Sequence, residues 1–163
     1  MRVCVIGVGN ELREDDGVGL VIVRELRTIL NDNCIELLEI GDRLFDIPEI
    51  IFNFDKVIII DALPLGFYEK MVQTVYYNVN SQSTRTKYSL HDLDLLWQLG
   101  YAYRNGFRGE VILMGIAVYS LEYRMELSSE LLKSLPEIVT KVAVIIQQIF
   151  MADYNGHEIE NLK

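Results

Sequence analysis

The sequence predicts a three-layer α/β/α domain, in which a mostly parallel, twisted sheet of about five strands carries helices on both faces. Strand-like and helix-like segments alternate along the chain, which is typical of this class. Three segments, at 2–8, 57–61 and 111–118, are apolar almost throughout, like strands that are buried on both faces of a parallel sheet. Half of the 163 residues are hydrophobic, which is enough for a substantial core.

The first half of the chain contains three predicted strands and two predicted helices. In order these are a strand at 2–8, a helix at 16–30, a strand at 35–40, a short helix at 43–53 and a strand at 57–61. The first helix is predicted from apolar residues at helical spacing, such as Val18, Val21, Ile22 and Leu26. The third strand is apolar until its last residue, Asp61.

The second half is predicted to add a strand at 71–78, a loop at 80–90, a helix that begins near 89–91, a strand at 111–118 and a helix at 128–152. The strand at 71–78 alternates in polarity, which suggests one exposed face and an antiparallel position at the sheet edge. Ser128 and Ser129 are the candidate N-caps of the last helix. We expect one domain at 1–152 and a polar, fraying tail at 153–163.

Composition excludes several classes of function. The net charge of −9 argues against nucleic acid and against an anionic membrane as partners. The chain does not open with a secretory signal pattern, and no uncharged apolar stretch reaches the roughly 18–20 residues that span a bilayer. Cys4 and Cys34 are expected to be buried core thiols rather than a disulfide or a metal site. A cytoplasmic location fits these features.

The most informative segment is 7–19, with the sequence Gly-Val-Gly-Asn-Glu-Leu-Arg-Glu-Asp-Asp-Gly-Val-Gly. It joins the first strand to the first helix, at the carboxyl edge of the sheet where α/β proteins bind ligands. A dinucleotide fingerprint fits poorly, because its third glycine falls on Leu12 and because Asp15 and Asp16 would repel a pyrophosphate. The two acids have an ordinary alternative explanation as helix N-terminal caps.

Two further polar residues are predicted to converge on this edge. Asp61 ends the third strand and His91 precedes a helix, although a turn cap and a surface histidine are the simpler explanations of each alone. Together with Asp16 they would form an incomplete metal site of nitrogen and oxygen donors with open positions.

With these residues the chain resembles the hydrogenase maturation endopeptidases over about 2–150. The resemblance rests on four pieces in order, at 7–19, 60–62, 89–93 and 119–122. It implies a monomeric cytoplasmic protease that trims the C-terminal extension of a nickel–iron hydrogenase large-subunit precursor. It also implies that Asp16, Asp61 and His91 are metal contacts.

One turn departs from the family pattern. After the second strand the family commonly has an Asp-Gly-Gly turn that contributes to substrate choice, whereas this chain has Gly41-Asp42-Arg43. The resemblance therefore leaves the partner hydrogenase undefined.

Conventional protease motifs are absent from the sequence, since it has neither a Gly-x-Ser-x-Gly elbow nor a His-Glu-x-x-His pair. The resemblance instead implies that nickel carried by the precursor is recognised, and that the protein purifies with little metal of its own. Asp16 is the candidate proton acceptor. Two alternatives stay open: a metal-dependent hydrolase of small molecules, and a non-catalytic, nickel-sensing maturation chaperone.

Overall fold

The computed structural model describes residues 1–64, 71–77 and 90–154. The strands in this part of the chain are β1 (Val3–Val8), β2 (Ile35–Gly41), β3 (Lys56–Pro64), β4 (Val72–Tyr77) and β5 (Glu110–Val118). The helices are α1 (Val18–Ile29), α2 (Ile47–Ile51), α3 (Leu90–Arg104) and α4 (Ser129–Tyr154). Short 3-10 turns at Glu14–Gly17 and Leu44–Asp46 lead into α1 and α2.

The strands form one sheet in the order β2-β1-β3-β5-β4. β2, β1, β3 and β5 run parallel, and β4 pairs antiparallel with β5 at the edge. Val5 of β1 lies opposite Leu37 on one side and Ile58 on the other, so β1 and β3 are interior strands. The predicted fold class and the predicted antiparallel edge strand are both confirmed.

Alternate residues of each central strand face two separate apolar layers. Val5, Ile58 and Ile112 pack with α1 and α4, whereas Cys4, Ile59 and Val111 pack with α2 and α3. This alternation explains why β1, β3 and β5 are apolar throughout, because each strand has helices on both sides.

Helix α4 is long and apolar enough over 129–152 to meet a length-and-composition test for a membrane span, a test that core helices also meet. Its residues Ile138, Val142 and Ile146 are at most 1% exposed and belong to the core that it shares with α1 and the sheet. The segment includes Glu137 and Lys141, so it is not an uncharged stretch.

Three local predictions were wrong. The third strand continues past Asp61 to Pro64, because it keeps pairing with β5 as far as Val118. The first helix begins at Val18, and the acids before it lie in a 3-10 turn. Cys34 is exposed rather than buried, because it lies just before β2 and outside both apolar layers.

Cys4 is buried as predicted, and its burial raises the pKa of its thiol to about 12. Most of the predicted loop at 80–90, from 80 to 89, and nearly all of the polar tail, from 155 to 163, lie outside the described residues. The division of the chain into a domain and a tail stays a prediction.

Candidate functional site

A narrow cleft lies where β1, β2 and β3 present their carboxyl ends. It is lined by Val8, Gly9, Asp16, Gly41, Asp42, Leu44 and Asp61. The backbone N–H of Gly9 donates to the carbonyl of Gly41 at 3.1 Å, so the turns after β1 and β2 are joined directly. The free volume of the cleft is about 10 Å³, which is close to the volume of a single water-sized sphere. The cleft therefore has the size of an ion site rather than of a nucleotide site.

Two glycines allow the 3-10 turn and α1 to close over this edge. Gly9 has φ of +127°, and a Cβ there would collide with the carbonyl of Asp16. At Gly19 a Cβ would collide with the carbonyls of Val8 and Ile60, so α1 begins directly against the ends of β1 and β3. The motif glycines thus serve backbone packing around Asp16, not the cradling of a phosphate.

Asp16, in the 3-10 turn between β1 and α1, and Asp61, in β3, both line the cleft. Asp16 is 9% exposed, and its Oδ2 accepts a hydrogen bond from the backbone N–H of Asn10 at 3.1 Å. Oδ1 of Asp61 accepts from the N–H of Ala62 at 2.8 Å. Two carboxylates in a small cleft supply the hard oxygen donors of a divalent-metal site.

Asp42 is a third acid on the cleft, and the sequence analysis did not name it as a site residue. It follows Gly41, whose φ of +64° turns the chain at the end of β2. The signal was available, because β2 was predicted to end at Gly41 and the carboxyl ends of parallel strands share one edge.

His91 lies in the first turn of α3, which begins at Leu90. Its side chain is outside the described residues, so its predicted role stays a prediction. Within the described part of the chain, no three His, Cys, Asp or Glu side chains are grouped closely enough to hold a metal.

Asp15 has a different role from its neighbour. Its side chain is fully buried and accepts four hydrogen bonds. They come from the backbone N–H groups of Tyr119 (3.0 Å), Ser120 (3.1 Å) and Ser128 (2.7 Å) and from the hydroxyl of Ser128 (2.8 Å). Asp15 therefore fixes the segment after β5 and the start of α4, and the alternative explanation of Asp15 as a cap of the first helix does not hold.

An ion-pair network ties the outer side of the same loop to α1 and β2. Arg24 donates to the carboxylates of Glu11 in the loop and Glu39 in β2, and Arg27 pairs with Glu39 at 2.7 Å. The hydrogen bond from Arg24 lowers the pKa of Glu11 below its ordinary 4.5. The segment that bears Asp16 is thus held from inside by Asp15 and from outside by Glu11.

The sequence profile of the hydrogenase maturation proteases matches residues 20–145. The chain belongs to the hydrogenase maturation protease family. Membership identifies it as a peptidase, and hence as a hydrolase. A search of curated protein sequences gives no significant match.

Solved structures of hydrogenase maturation endopeptidases share the fold. HybD from E. coli superposes with a TM-score of 0.75 at 24% identity, over 91% of this chain and 93% of that one. HybD from Thermococcus kodakarensis has a TM-score of 0.67 at 25% identity, over 91% and 99%. A hydrogenase 2 maturation peptidase from a Thaumarchaeota archaeon has a TM-score of 0.58 at 29% identity, over 93% and 99%.

Proposed function

We propose that this peptidase removes the C-terminal extension of a nickel–iron hydrogenase large-subunit precursor, and that it recognises the nickel the precursor carries. The observation that supports this most directly is the ion-sized cleft in which Asp16 and Asp61 meet, in a chain of the hydrogenase maturation protease family. In this proposal the enzyme acts in the cytoplasm as a monomer.

The donor set suits a metal that is shared with the substrate. Asp16, Asp61 and His91 would contribute two oxygens and one nitrogen, which is too few for a saturated and selective site. Nickel held by thiolates of the precursor has open positions that such donors fill. Cleavage then depends on the substrate being loaded, because an unloaded precursor lacks the ion that holds it in the cleft.

The same geometry suggests how the peptide bond is cleaved. Nickel carried by the substrate would polarise the scissile carbonyl or lower the pKa of an attacking water. Asp16 would accept the proton of that water and return it to the leaving amine as the C–N bond breaks. Asp16 is held by the hydrogen bond from Asn10 and stays in contact with the cleft, so it combines a fixed position with access to the reacting atoms. Asp61 acts as a metal contact.

The decisive experiment compares one precursor in two forms, prepared with and without nickel. We expect mass spectrometry to show loss of the C-terminal extension from the nickel-loaded form only. Equal cleavage rates of the two forms would show that nickel is not recognised. No mass change in either form would instead favour the non-catalytic chaperone.

Metal analysis of the purified protein separates the proposal from a small-molecule metallohydrolase. We expect little bound nickel, zinc or iron after purification, since two carboxylates and one imidazole form a weak site for a borderline metal. A stoichiometric ion that survives treatment with a chelator would contradict a substrate-borne metal.

A further inference from the structure

A second concave surface lies beside the cleft, between the 3-10 turn at Glu14–Gly17, the segment after β5 and the start of α4. We call it the α4 groove. It has a volume of about 570 Å³ and is lined by Glu14, Tyr119, Ser120, Arg124, Glu126, Leu127, Ser128, Ser129, Glu130 and Leu132. This volume lies within the range of pockets that bind small molecules or peptide side chains.

Large apolar side chains are exposed in and around the α4 groove. Tyr119 is 48% exposed and Leu132 is 50% exposed on its lining, and Tyr123 and Met125 in the same segment are 89% and 77% exposed. The backbone at Tyr119 is held in place, because Asp15 accepts hydrogen bonds from the N–H groups of Tyr119 and Ser120. Exposed apolar groups on a fixed backbone are typical of a surface that binds another polypeptide.

The charges of the groove favour a cationic occupant. Among the described residues that line the groove, Arg124 is the one cation, and its guanidinium lies 3.9 Å from the carboxylate of Glu14. These two charges offset each other and leave Glu126 and Glu130 as the net charge of the lining. The hydroxyl of Ser129 donates to Glu130 and lowers the pKa of its carboxyl, although Lys133 on the next turn also faces Glu130.

The N-terminus of a helix such as α4 ordinarily attracts an anion, but here the carboxylate of Asp15 already occupies that position. Asp15 accepts from the N–H of Ser128, and the hydroxyl of Ser128 accepts from the N–H of Leu131 at 3.2 Å. A buried carboxylate thus occupies the positive end of the helix dipole. The groove therefore presents acids and apolar surface to solvent rather than an anion site.

The α4 groove and the cleft are adjacent. Glu14 lines the groove and Asp16 lines the cleft, and the two residues are separated by about 4 Å of rise in the 3-10 turn. An extended peptide advances about 3.3–3.6 Å per residue, so a chain that leaves the cleft reaches the groove within a few residues.

We propose that the α4 groove binds a segment of the substrate polypeptide that carries both basic and apolar side chains. This inference rests on the proposed function, because the substrate precursor is the occupant. Basic side chains of that segment pair with Glu126 and Glu130, and its apolar side chains cover Tyr119 and Leu132. The groove thereby adds affinity that does not depend on nickel.

The test uses the double charge reversal Glu126→Lys plus Glu130→Lys in the full-length protein. We expect KM for the nickel-loaded precursor to rise about tenfold with kcat within about twofold, since contacts remote from the reacting atoms contribute to binding. The matched control is the double variant Glu25→Lys plus Glu49→Lys, which makes the same charge change on the exposed surfaces of α1 and α2. The control should keep the wild-type KM.

Calorimetric binding of the nickel-free precursor distinguishes this inference from the proposed function. Weaker binding by the groove variant than by the control supports the groove even if neither protein cleaves the precursor. Equal affinities of the groove variant and the control overturn it, whether or not cleavage is observed. Lack of binding to the wild-type protein also overturns it.

Discussion

Asp15 and Asp16 are neighbours in one 3-10 turn, yet the structure places their carboxylates in opposite environments. Asp15 is fully buried and accepts four hydrogen bonds from the segment after β5 and the start of α4. Asp16 lines the cleft and accepts a hydrogen bond from Asn10. The carboxylate oxygens of Asp15 are hydrogen-bonded within the protein, whereas the carboxylate of Asp16 can still accept hydrogen bonds or bind a ligand in the cleft.

The difference shows how a rigid site can be built on a loop. A carboxylate that faces a cleft cannot also be held by many donors, because those donors would occupy the oxygens it needs for a ligand. Here the preceding residue, Asp15, holds the turn in place. Its buried hydrogen bonds immobilise the backbone next to Asp16. We infer that Asp15 contributes mainly to stability and Asp16 mainly to activity.

The largest effect is expected at the cleft. Asp16→Asn should lower the rate of precursor cleavage by about 10²–10⁴-fold, because an amide neither binds a metal as an anion nor accepts a proton. Asp61→Ala and His91→Ala should have effects of similar size, and Asp16→Glu should retain partial activity. Cleavage is followed by mass spectrometry, with thermal unfolding as the control for folding. Wild-type activity in Asp16→Asn would contradict the assignment.

The next effect is expected at Asp15, and it concerns stability. Asp15→Ala should lower the free energy of unfolding by about 3–5 kcal/mol, because three backbone N–H groups and a hydroxyl lose their buried acceptor. Asp16→Ala should cost only about 1 kcal/mol. Urea denaturation measures both values, and equal losses would remove the distinction between the two acids.

The smallest effect is expected at the ion pairs that Arg24 makes with Glu11 and Glu39. Arg24→Ala should cost about 1 kcal/mol at neutral pH, since Arg24 and Glu11 are each 45% exposed, although Glu39 is only 19% exposed. The pKa of Glu11 is lowered in the folded state, so its contribution to stability is fully present above its ordinary value of 4.5 and is lost as the pH falls through the lower, folded-state pKa. Unfolding measured at pH 7 and pH 3.5 should therefore show a smaller cost of the substitution at the lower pH. A cost that is unchanged at pH 3.5 would show that the ion pair is not its source.

The sequence determined the fold because its signals are local. Continuous apolar runs required strands that are covered on both faces, and alternation at 72–77 indicated the exposed edge strand. The order of strands also predicted that Asp16 and Asp61 share an edge, since parallel strands end together. These inferences use only periodicity and chain direction.

Tertiary structure decided what each acid does. Apart from the family resemblance, no local sequence pattern distinguishes Asp15 from Asp16, because the donors that bury Asp15 lie more than 100 residues away, at Tyr119, Ser120 and Ser128. The exposure of Cys34 and the extension of β3 to Pro64 depend likewise on neighbours distant in sequence. A carboxylate is a cap, a ligand or an anchor according to the donors around it, and only the folded chain brings those donors together.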